Sequence, residues 1–341
     1  MKTLKLILFV LIVIGSNPLH AKVFRVNNNT TIDAPYVSFT SALNSASNFD
    51  TIYLEGSVTA YGNLILTKPV VVMGTGYFLQ DNPQTQADYI QSTVGNIIFE
   101  NGSSGSIIMG LVVTGIIEIK VGDIIIKRNH LNDIGINSSV SFGNILITQN
   151  FIKNIPSDYS DNTARIYNTT GSSTIYNVMI SNNIILSNYT DRNHDTRIGD
   201  ISLGTNYSGI ISNNILHLNV NVSNFSNINN IMTCCTMFLN NNTYFNNIGN
   251  ATQFPIVNNN LQNIDPVFIG GSSPDGGYQL DATSPAINYG NDGTDCGAFG
   301  GLTPYVLSGM PDIPSIFEIN MPAMGTSTEG IDVTVKAKVH K

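Results

Sequence analysis

Apolar and polar positions between residues 124 and 261 follow one short pattern that recurs six times. The pattern is an apolar residue, any residue, an apolar residue, any two residues, Asn, any residue and an apolar residue, with Gly209 replacing the first apolar residue of the fourth copy. Apolar residues two apart share one face of a β-strand, and the three-residue step across Asn interrupts this alternation, which predicts a corner. The Asn residues of the six copies are Asn129, Asn150, Asn183, Asn214, Asn242 and Asn259.

This repeat predicts a solenoid in which each copy contributes one strand–corner–strand unit to a coil. Successive Asn residues are separated by 17 residues (242 to 259) to 33 residues (150 to 183), so loops of variable length are expected on one face. Connections between parallel strands are right-handed almost without exception, which makes the expected fold an all-β, right-handed parallel β-helix. Asn tolerates the left-handed backbone of a tight corner, and stacked Asn side chains would form a ladder that satisfies buried polar groups.

The two ends of the chain differ from the repeats and indicate three parts. Residues 1–21 have the charged start, the apolar stretch and the small final residue of a signal peptide. Residues 22–301 form the predicted β-helix, with a short helix within residues 38–47 covering its first coil. Residues 302–341 are predicted to be a Pro-rich extended tail that ends in a β-strand. We therefore expect a secreted, periplasmic or cell-surface protein whose mature chain has no transmembrane segment.

Segments at both ends of the predicted β-helix carry a resemblance to known proteins: Asp50-Thr51-Ile52, Lys68-Pro69 and Gly74-x-Gly76 near the start, and Asp265-Pro266-Val267-Phe268 and Asp295-Cys296-Gly297-Ala298-Phe299-Gly300 near the end. These segments resemble secreted right-handed parallel β-helix proteins of the pectate-lyase-like superfamily. The resemblance covers roughly residues 30–301 and implies the fold. It implies no single activity, because this superfamily includes lyases, hydrolases, esterases, isomerases and non-catalytic adhesins.

Charge limits the classes of partner. Charged residues make up 11% of the chain, and the formal net charge is −8; loss of residues 1–21, with two Lys and no acids, makes it −8 − 2 = −10. Nucleic acid is therefore not an expected partner, because its binding depends on Lys and Arg contacts to phosphate. A polysaccharide or cell-surface glycan suits the long lateral face of a solenoid, and we expect the protein to act as a monomer.

The three cysteines do not predict a disulfide framework, because an odd number is left in an exported chain. Cys234 and Cys235 are adjacent in a predicted strand, so they should point to opposite faces, with one of them in the core. Many members of the resembled superfamily carry an aliphatic residue at the position of Cys296, which implies a core role for that thiol.

Polar clusters mark the positions where chemistry is expected. A first cluster combines Lys127, Arg128 and His130 with Asp133, and two further clusters follow Asn150 and Asn183 at similar offsets, so stacked coils would place them side by side. Eliminative cleavage of a uronate polymer needs a base and a cation that neutralises the carboxylate. The catalytic candidates for that reaction are Arg165, Arg192, His194 and Arg197. The substrate-binding candidates are Asp158, Tyr159, Asp161, Tyr167, Tyr189, Asp191 and Asp195.

Three functions remain open at this point. A glycan-binding or surface-attachment protein without catalysis would expose aromatic residues along one face, such as Tyr159, Tyr167, Tyr189 and Tyr207. A polysaccharide lyase would bring the Arg and His candidates together, and a structural surface protein would bind no specific ligand. No cofactor and no metal site is expected; Ca²⁺ is the one ion left open, because lyases use it to neutralise carboxylates and Asn291–Asp295 offers oxygen ligands.

Overall fold

The structure, a computed structural model, describes residues 21–153, 165–187, 200–324 and 330–340. The chain forms a right-handed parallel β-helix, in which two long parallel sheets, A and B, are built from stacked coils. In the described residues, sheet A has ten strands. Their bounds are Val23–Val26, Thr51–Leu54, Val71–Met73, Ile107–Met109, Ile124–Lys127, Phe142–Thr148, Ile175–Ser181, Tyr207–Ser212, Phe225–Ile228 and Thr243–Phe245.

Sheet B has thirteen strands among the same residues and divides into two arms around a corner. The first arm follows the Asn corner, and the second arm leads on toward the next strand of sheet A. Two strands, Val112–Ile119 and His130–Ser138, run through both arms. Their mutual pairing shifts register at the corner that separates the arms. The others are Leu64–Leu66, Thr93–Val94, Ile97–Phe99, Phe151–Lys153, Arg165–Gly171, Ile184–Leu186, Asp200–Ser202, Ile215–His217, Asn219–Asn221, Ile231–Met232 and Ile248–Gly249.

Alternating apolar residues build the coils because every second side chain points inward. Ile126, Ile147, Ile180 and Ile211 are in register on successive strands of sheet A and are completely buried. The aliphatic run is interrupted at Asn227, whose equally buried amide takes the inward position of the next coil, and the buried Tyr244 follows it in register. Such columns form one continuous core along the inside of the solenoid.

A ladder of buried Asn side chains lies at the corner between sheet A and the first arm of sheet B. In each step, Oδ1 of one Asn accepts hydrogen bonds from the backbone N–H and the Nδ2 of the Asn in the preceding coil, at 2.9–3.1 Å. Nδ2 of each residue also donates to backbone carbonyls, such as that of Ile147 from Asn183. The ladder consists of Asn129, Asn150, Asn183, Asn214, Asn230, Asn247 and Asn260.

Two predicted ladder positions are wrong. Asn242 lies at another corner, where its Oδ1 accepts from the N–H of Phe225, and Asn259 directly precedes the true ladder residue. The apolar pattern failed there because Asn227 occupies an inward position that is aliphatic in earlier coils. The true steps after Asn214 are 16, 17 and 13 residues, so these coils are shorter than the sequence pattern indicated.

The sequence analysis predicted that the ladder Asn has the left-handed backbone at each corner, and this is wrong. The left-handed residue is the one directly before it. These residues have φ of 52° to 60° and point their side chains out of the solenoid. The ladder residue itself keeps an ordinary backbone and turns its amide inward. The left-handed positions are Arg128, Gln149, Asn182, Asn213, Asn229, Asn246 and Asn259.

The expected helix spans Phe39–Ser45 and is the α1 helix of the fold. Ser38 is its N-cap and accepts a hydrogen bond from the N–H of Ser41. Phe39, Ala42 and Leu43 are buried against the first coil, because the 3.6-residue period places them on one face. The helix therefore shields the apolar interior at the start of the solenoid.

Residues 265–310, the C-terminal wrap, run back along the outside of the solenoid toward its start. The wrap passes the outward-pointing corner side chains in turn: Asn182 Nδ2 donates to the carbonyl of Gly300 at 2.8 Å, Gln149 Nε2 to that of Pro304 at 2.6 Å and Arg128 to that of Met310 at 2.9 Å. Between the wrap and the first arm lies a second apolar core, which includes Cys296 at 1% exposure. Burial raises the pKa of the Cys296 thiol to about 12.

The tail after the wrap is an antiparallel hairpin rather than a single strand. Its strands are Pro314–Asn320 and Thr334–Val339. The hairpin is fixed to the loop at residues 84–88 by the N–H of Ala87, which donates to the carbonyl of Ile316 at 2.7 Å. Asp312 at the base of the hairpin forms ion pairs with Lys127 and Arg128 on the solenoid.

Cys234 and Cys235 form a disulfide, so the prediction that they point to opposite faces is wrong. They lie in a corner and not in a strand. Ile215 pairs with Ile231, and Val220 pairs with Met237. From the first pair to the second, the chain advances by 220 − 215 = 5 residues in one coil and by 237 − 231 = 6 residues in the next, so the corner with the two cysteines contains one extra residue. Cys235 accommodates the extra residue with a left-handed backbone, φ 71°, which brings the two sulfurs to the same side.

Candidate functional site

A charged patch lies on the outer face of the second arm of sheet B. Asp133, Arg165 and Asp200 are neighbours on three adjacent strands, since Asp133 pairs with Arg165 and Ile166 pairs with Ile201. Tyr167 follows two positions along the same outward row, and Glu118 lies across Gly135 from it. We call Glu118, Asp133, Arg165, Tyr167 and Asp200 the Arg165 patch.

Arg165 is the centre of this patch and is held on two sides. Its Nη2 donates to Asp133 Oδ2 at 2.7 Å, and its guanidinium carbon lies 4.7 Å from the centroid of the Tyr167 ring. The ring lies over Gly135, since a Cβ at that position would be in ordinary van der Waals contact with Tyr167 at 3.6 Å. The arrangement is a preformed polar surface on rigid strands, with an aromatic ring beside it.

The protonation of the patch follows from these contacts. The hydrogen bond to Asp133 raises the pKa of Arg165, so this side chain stays cationic and cannot serve as a base. Burial raises the pKa of Asp200 above the ordinary Asp value, and burial also raises the pKa of Tyr167. Among the described members of the patch, Asp200 is therefore the carboxyl group for which the fold increases proton affinity.

Most predicted site residues lie outside the described residues. Within the patch, the structure places Arg165 and Tyr167 together, as the sequence analysis expected. It also brings in Asp133 and Asp200, which the sequence analysis had not assigned a role. The candidates on which the structure gives no geometry are Asp158, Tyr159, Asp161, Tyr189, Asp191, Arg192, His194, Asp195 and Arg197.

Tyr207 is not an exposed aromatic residue, and that expectation is wrong. Its side chain is 1% exposed, and its hydroxyl donates to Oδ1 of Asn168 at 3.0 Å. Tyr207 begins its strand of sheet A, in register with the buried Ile175, which fixes its ring inside the solenoid.

The first polar cluster of the sequence is dispersed by the fold. Lys127 and Arg128 point to the tail, where both meet Asp312. His130 is packed among the rings of Tyr77, Phe78 and Phe151. Only Asp133 reaches the Arg165 patch.

A second concave surface lies at the last coils, between the first arm and the wrap. This C-terminal cleft is open to solvent and has a volume of about 560 Å³. Phe268 and Tyr278 form its aromatic side, with ring centroids 5.6 Å apart in an edge-to-face arrangement. The residues that line it are Thr233, Asn250, Asn263, Asp265, Pro266, Phe268 and Tyr278.

A third polar group is fully buried and has a structural role. Asp275 accepts hydrogen bonds from Nδ2 of Asn82 at 2.7 Å, from the N–H of Ser308 at 2.7 Å and from the hydroxyl of Tyr305 at 3.1 Å. The Tyr305 hydroxyl also lies 2.6 Å from that of Tyr77. This network joins the loop that begins at residue 77 to the wrap.

The described residues show no metal centre: no group of three or more His, Cys, Asp or Glu side chains is placed to hold an ion. In the segment 291–295, which had suggested Ca²⁺, Asp292 Oδ1 accepts from the N–H and hydroxyl of Thr294. Asp295 Oδ1 accepts from the N–H of Asn288, so the segment forms a hydrogen-bonded turn. In the same parts of the chain, no helix is long and apolar enough to cross a membrane.

Comparison with known proteins assigns no family to the chain. Neither a protein-family model nor a curated protein matches the sequence.

Proposed function

We propose that this chain is a secreted or surface-attached glycan-binding protein, related in architecture to the pectate-lyase-like β-helices, which holds a polysaccharide on the Arg165 patch without cleaving it. The observation that carries the proposal is the fixed Arg165 guanidinium between Asp133 and the Tyr167 ring. Sugar hydroxyls need donors and acceptors at close spacing, which the guanidinium and the carboxylates supply. The ring adds an apolar contact at low entropy cost.

The charges of this face favour neutral sugars or amino sugars as ligands. Glu100, Glu118, Asp133 and Asp200 give four negative charges, while Lys120 and Arg165 are already paired with acids of the same face. A uronate polymer would be repelled by this surface. Eliminative cleavage is therefore disfavoured at the described residues, because no unpaired cation is available there for the uronate carboxylate and Arg165 cannot accept a proton.

One observation favours a second function, hydrolysis of a neutral glycan. Asp133 and Asp200 are two strands apart, which corresponds to about 9–10 Å between their backbones. That separation is close to the range used by inverting glycosidases, about 6.5–9.5 Å between carboxyl groups. Asp200, with its raised pKa, would be the proton donor, and Asp133 would orient water.

The binding proposal is tested with a glycan array and affinity electrophoresis on the purified chain. We expect retention by neutral or amino-sugar polysaccharides, and we expect Tyr167→Ala to weaken it about tenfold, through loss of about 1–1.5 kcal/mol of ring contact. Tyr176→Ala is the matched control, because Tyr176 also lies over a glycine, Gly143, but on the outer face of sheet A. Equal binding by both variants would overturn the proposal.

The catalytic alternatives are separated in the same samples. Release of reducing ends that is lost in Asp200→Asn would establish hydrolysis instead of binding alone. A rise in ultraviolet absorbance with uronate polymers, with or without Ca²⁺, would establish eliminative cleavage. We expect neither signal.

A further inference from the structure

The C-terminal cleft has the mixed surface that a sugar ring requires. Phe268 and Tyr278 present aromatic surface, while Asn250, Asn263 and Asp265 supply amide and carboxylate groups around it. A volume of about 560 Å³ lies within the range of small-ligand sites, about 300–1,000 Å³. Burial raises the pKa of Tyr278, so its hydroxyl stays protonated and can donate a hydrogen bond at neutral pH.

The scaffold around the cleft is held in place by hydrogen bonds. Asn250 Nδ2 donates to the carbonyl of Thr233 at 2.6 Å, and Asn250 Oδ1 accepts from Gln253 at 2.7 Å. Asp265 accepts from the N–H of Val267, which fixes the turn that leads to Phe268. The disulfide next to Thr233 closes the corner on this side. A ligand would therefore meet a preorganised surface.

The cleft and the Arg165 patch lie on either side of the same corner of sheet B. Asn219 pairs with Asp200 of the patch, and His217, two residues earlier, lies next to Thr233 of the cleft with Nδ1 2.9 Å from its hydroxyl. Arg165 and Asn250 are four coils apart, because the ladder residues of their coils are Asn150 and Asn247. At about 4.8 Å per coil, this separation is about 19 Å along the solenoid.

We propose that the C-terminal cleft is a second saccharide subsite, and that one neutral polysaccharide chain runs along the corner of sheet B from the Arg165 patch to the cleft. This inference rests on the proposed function and adds the direction and the length of the bound polymer. Two linked subsites bind a long chain more tightly than either binds a short one, because the second contact becomes intramolecular.

The test compares a disaccharide with the longest soluble oligosaccharide of whichever neutral glycan the array identifies, by isothermal titration calorimetry. For the unsubstituted chain we expect at least tenfold tighter binding of the oligosaccharide. Tyr278→Ala should reduce this ratio toward one and leave disaccharide binding at the patch unchanged. Asn263→Gly tests the cleft without removing a packed ring, because the left-handed backbone of Asn263, φ 57°, suits glycine.

Phe245→Ala is the control, since Phe245 is 38% exposed on sheet A near the same end of the solenoid. A ratio that survives both cleft variants, with disaccharide binding still lost in Tyr167→Ala, would overturn the second subsite and leave the proposed function intact. Absence of any glycan binding, or binding that Tyr167→Ala does not weaken, would overturn both.

Discussion

Two rows of large apolar side chains point outward from the same solenoid, and the chain covers only one of them. The covered row lies on the first arm of sheet B, where its aliphatic and aromatic members are at most 6% exposed under the wrap. The open row lies on sheet A, and its members are partly exposed. The covered row is Val112, His130, Phe151, Ile184, Ile215, Ile231 and Ile248; the open row is Val71, Ile107, Ile125, Leu146, Met179 and Ile210.

The comparison shows that outward apolar residues in a parallel stack do not all need a cover. Each open-row residue is shielded by the residues directly above and below it, because strands are about 4.8 Å apart. Thr148, Ser181 and Ser212 lie beside that row and keep its margin polar. The wrap is therefore not needed merely to cover apolar residues. It also connects the coils, since it contacts one coil after another.

Removing one residue of the Asn ladder should have the largest effect on stability, because the ladder holds together the coils that carry both rows. We expect Asn183→Ala to lower the free energy of unfolding by about 4 kcal/mol, since two or more buried groups lose partners at about 1–3 kcal/mol each. Urea denaturation monitored by circular dichroism measures this change. The control Asn221→Ala changes an exposed amide in sheet B and should cost less than about 0.5 kcal/mol; equal losses in both variants would contradict a stabilising ladder.

Acid should lower the free energy of unfolding through His130, the one titratable residue of the covered row. Burial, with a smaller contribution from the charge of Lys153, lowers the pKa of His130 from 6.5 to about 4. Because the folded pKa is below the unfolded one, the stabilisation is complete above pH 6.5 and is lost as the pH falls through about 4. The predicted loss is about 3 kcal/mol.

His130→Phe should remove this part of the acid response, because Phe fits among the surrounding rings and does not titrate. The measurement is the urea midpoint between pH 7.5 and pH 4, with both proteins normalised at pH 7.5. Parallel curves for the two proteins would show that His130 is not the group that titrates.

Changing the open row should have the smallest effect. Met179→Ser replaces a partly exposed residue by the polar type found further along the same register, at Ser226. We expect a change below about 0.5 kcal/mol and unchanged glycan binding. Ile184→Ser, at the equivalent covered position, should cost several-fold more in the same urea denaturation assay, and similar costs would remove the distinction between the rows.

The sequence predicted the coils well where inward positions were aliphatic. Asn129, Asn150, Asn183 and Asn214 lie in the ladder because Ile126, Ile147, Ile180 and Ile211 mark the strand before each corner. After Asn214 this signal fails, since Asn227 is an inward polar residue and the apolar pair Met237 and Leu239 belongs to another side of the coil. The reverse course of the wrap was not predicted either, because its buried residues have no regular spacing.

The candidate site was predicted only in part for a similar reason. Arg165 and Tyr167 were named because they stand out in a chain poor in charge. Asp200 ends the cluster after Asn183, which the sequence analysis had placed beside that of Arg165. Asp133 could not be joined to them from sequence, because its partner Arg165 lies twelve residues beyond the end of the strand Phe151–Lys153 that pairs with the start of the same strand, His130–Ser138. The disulfide was missed because one extra residue turns a predicted strand into a corner.

The reverse course of the wrap changes how this solenoid should lose its structure. A simple repeat protein behaves as a one-dimensional array, in which each unit depends on its nearest neighbours and the ends can fray separately. Here residues near 300 are bonded to coils that were completed more than a hundred positions earlier in the chain. Fraying at either end therefore disturbs contacts in the middle, so the array is converted into one cooperative unit, and the first coils gain their full protection only when the last part of the chain has been synthesised.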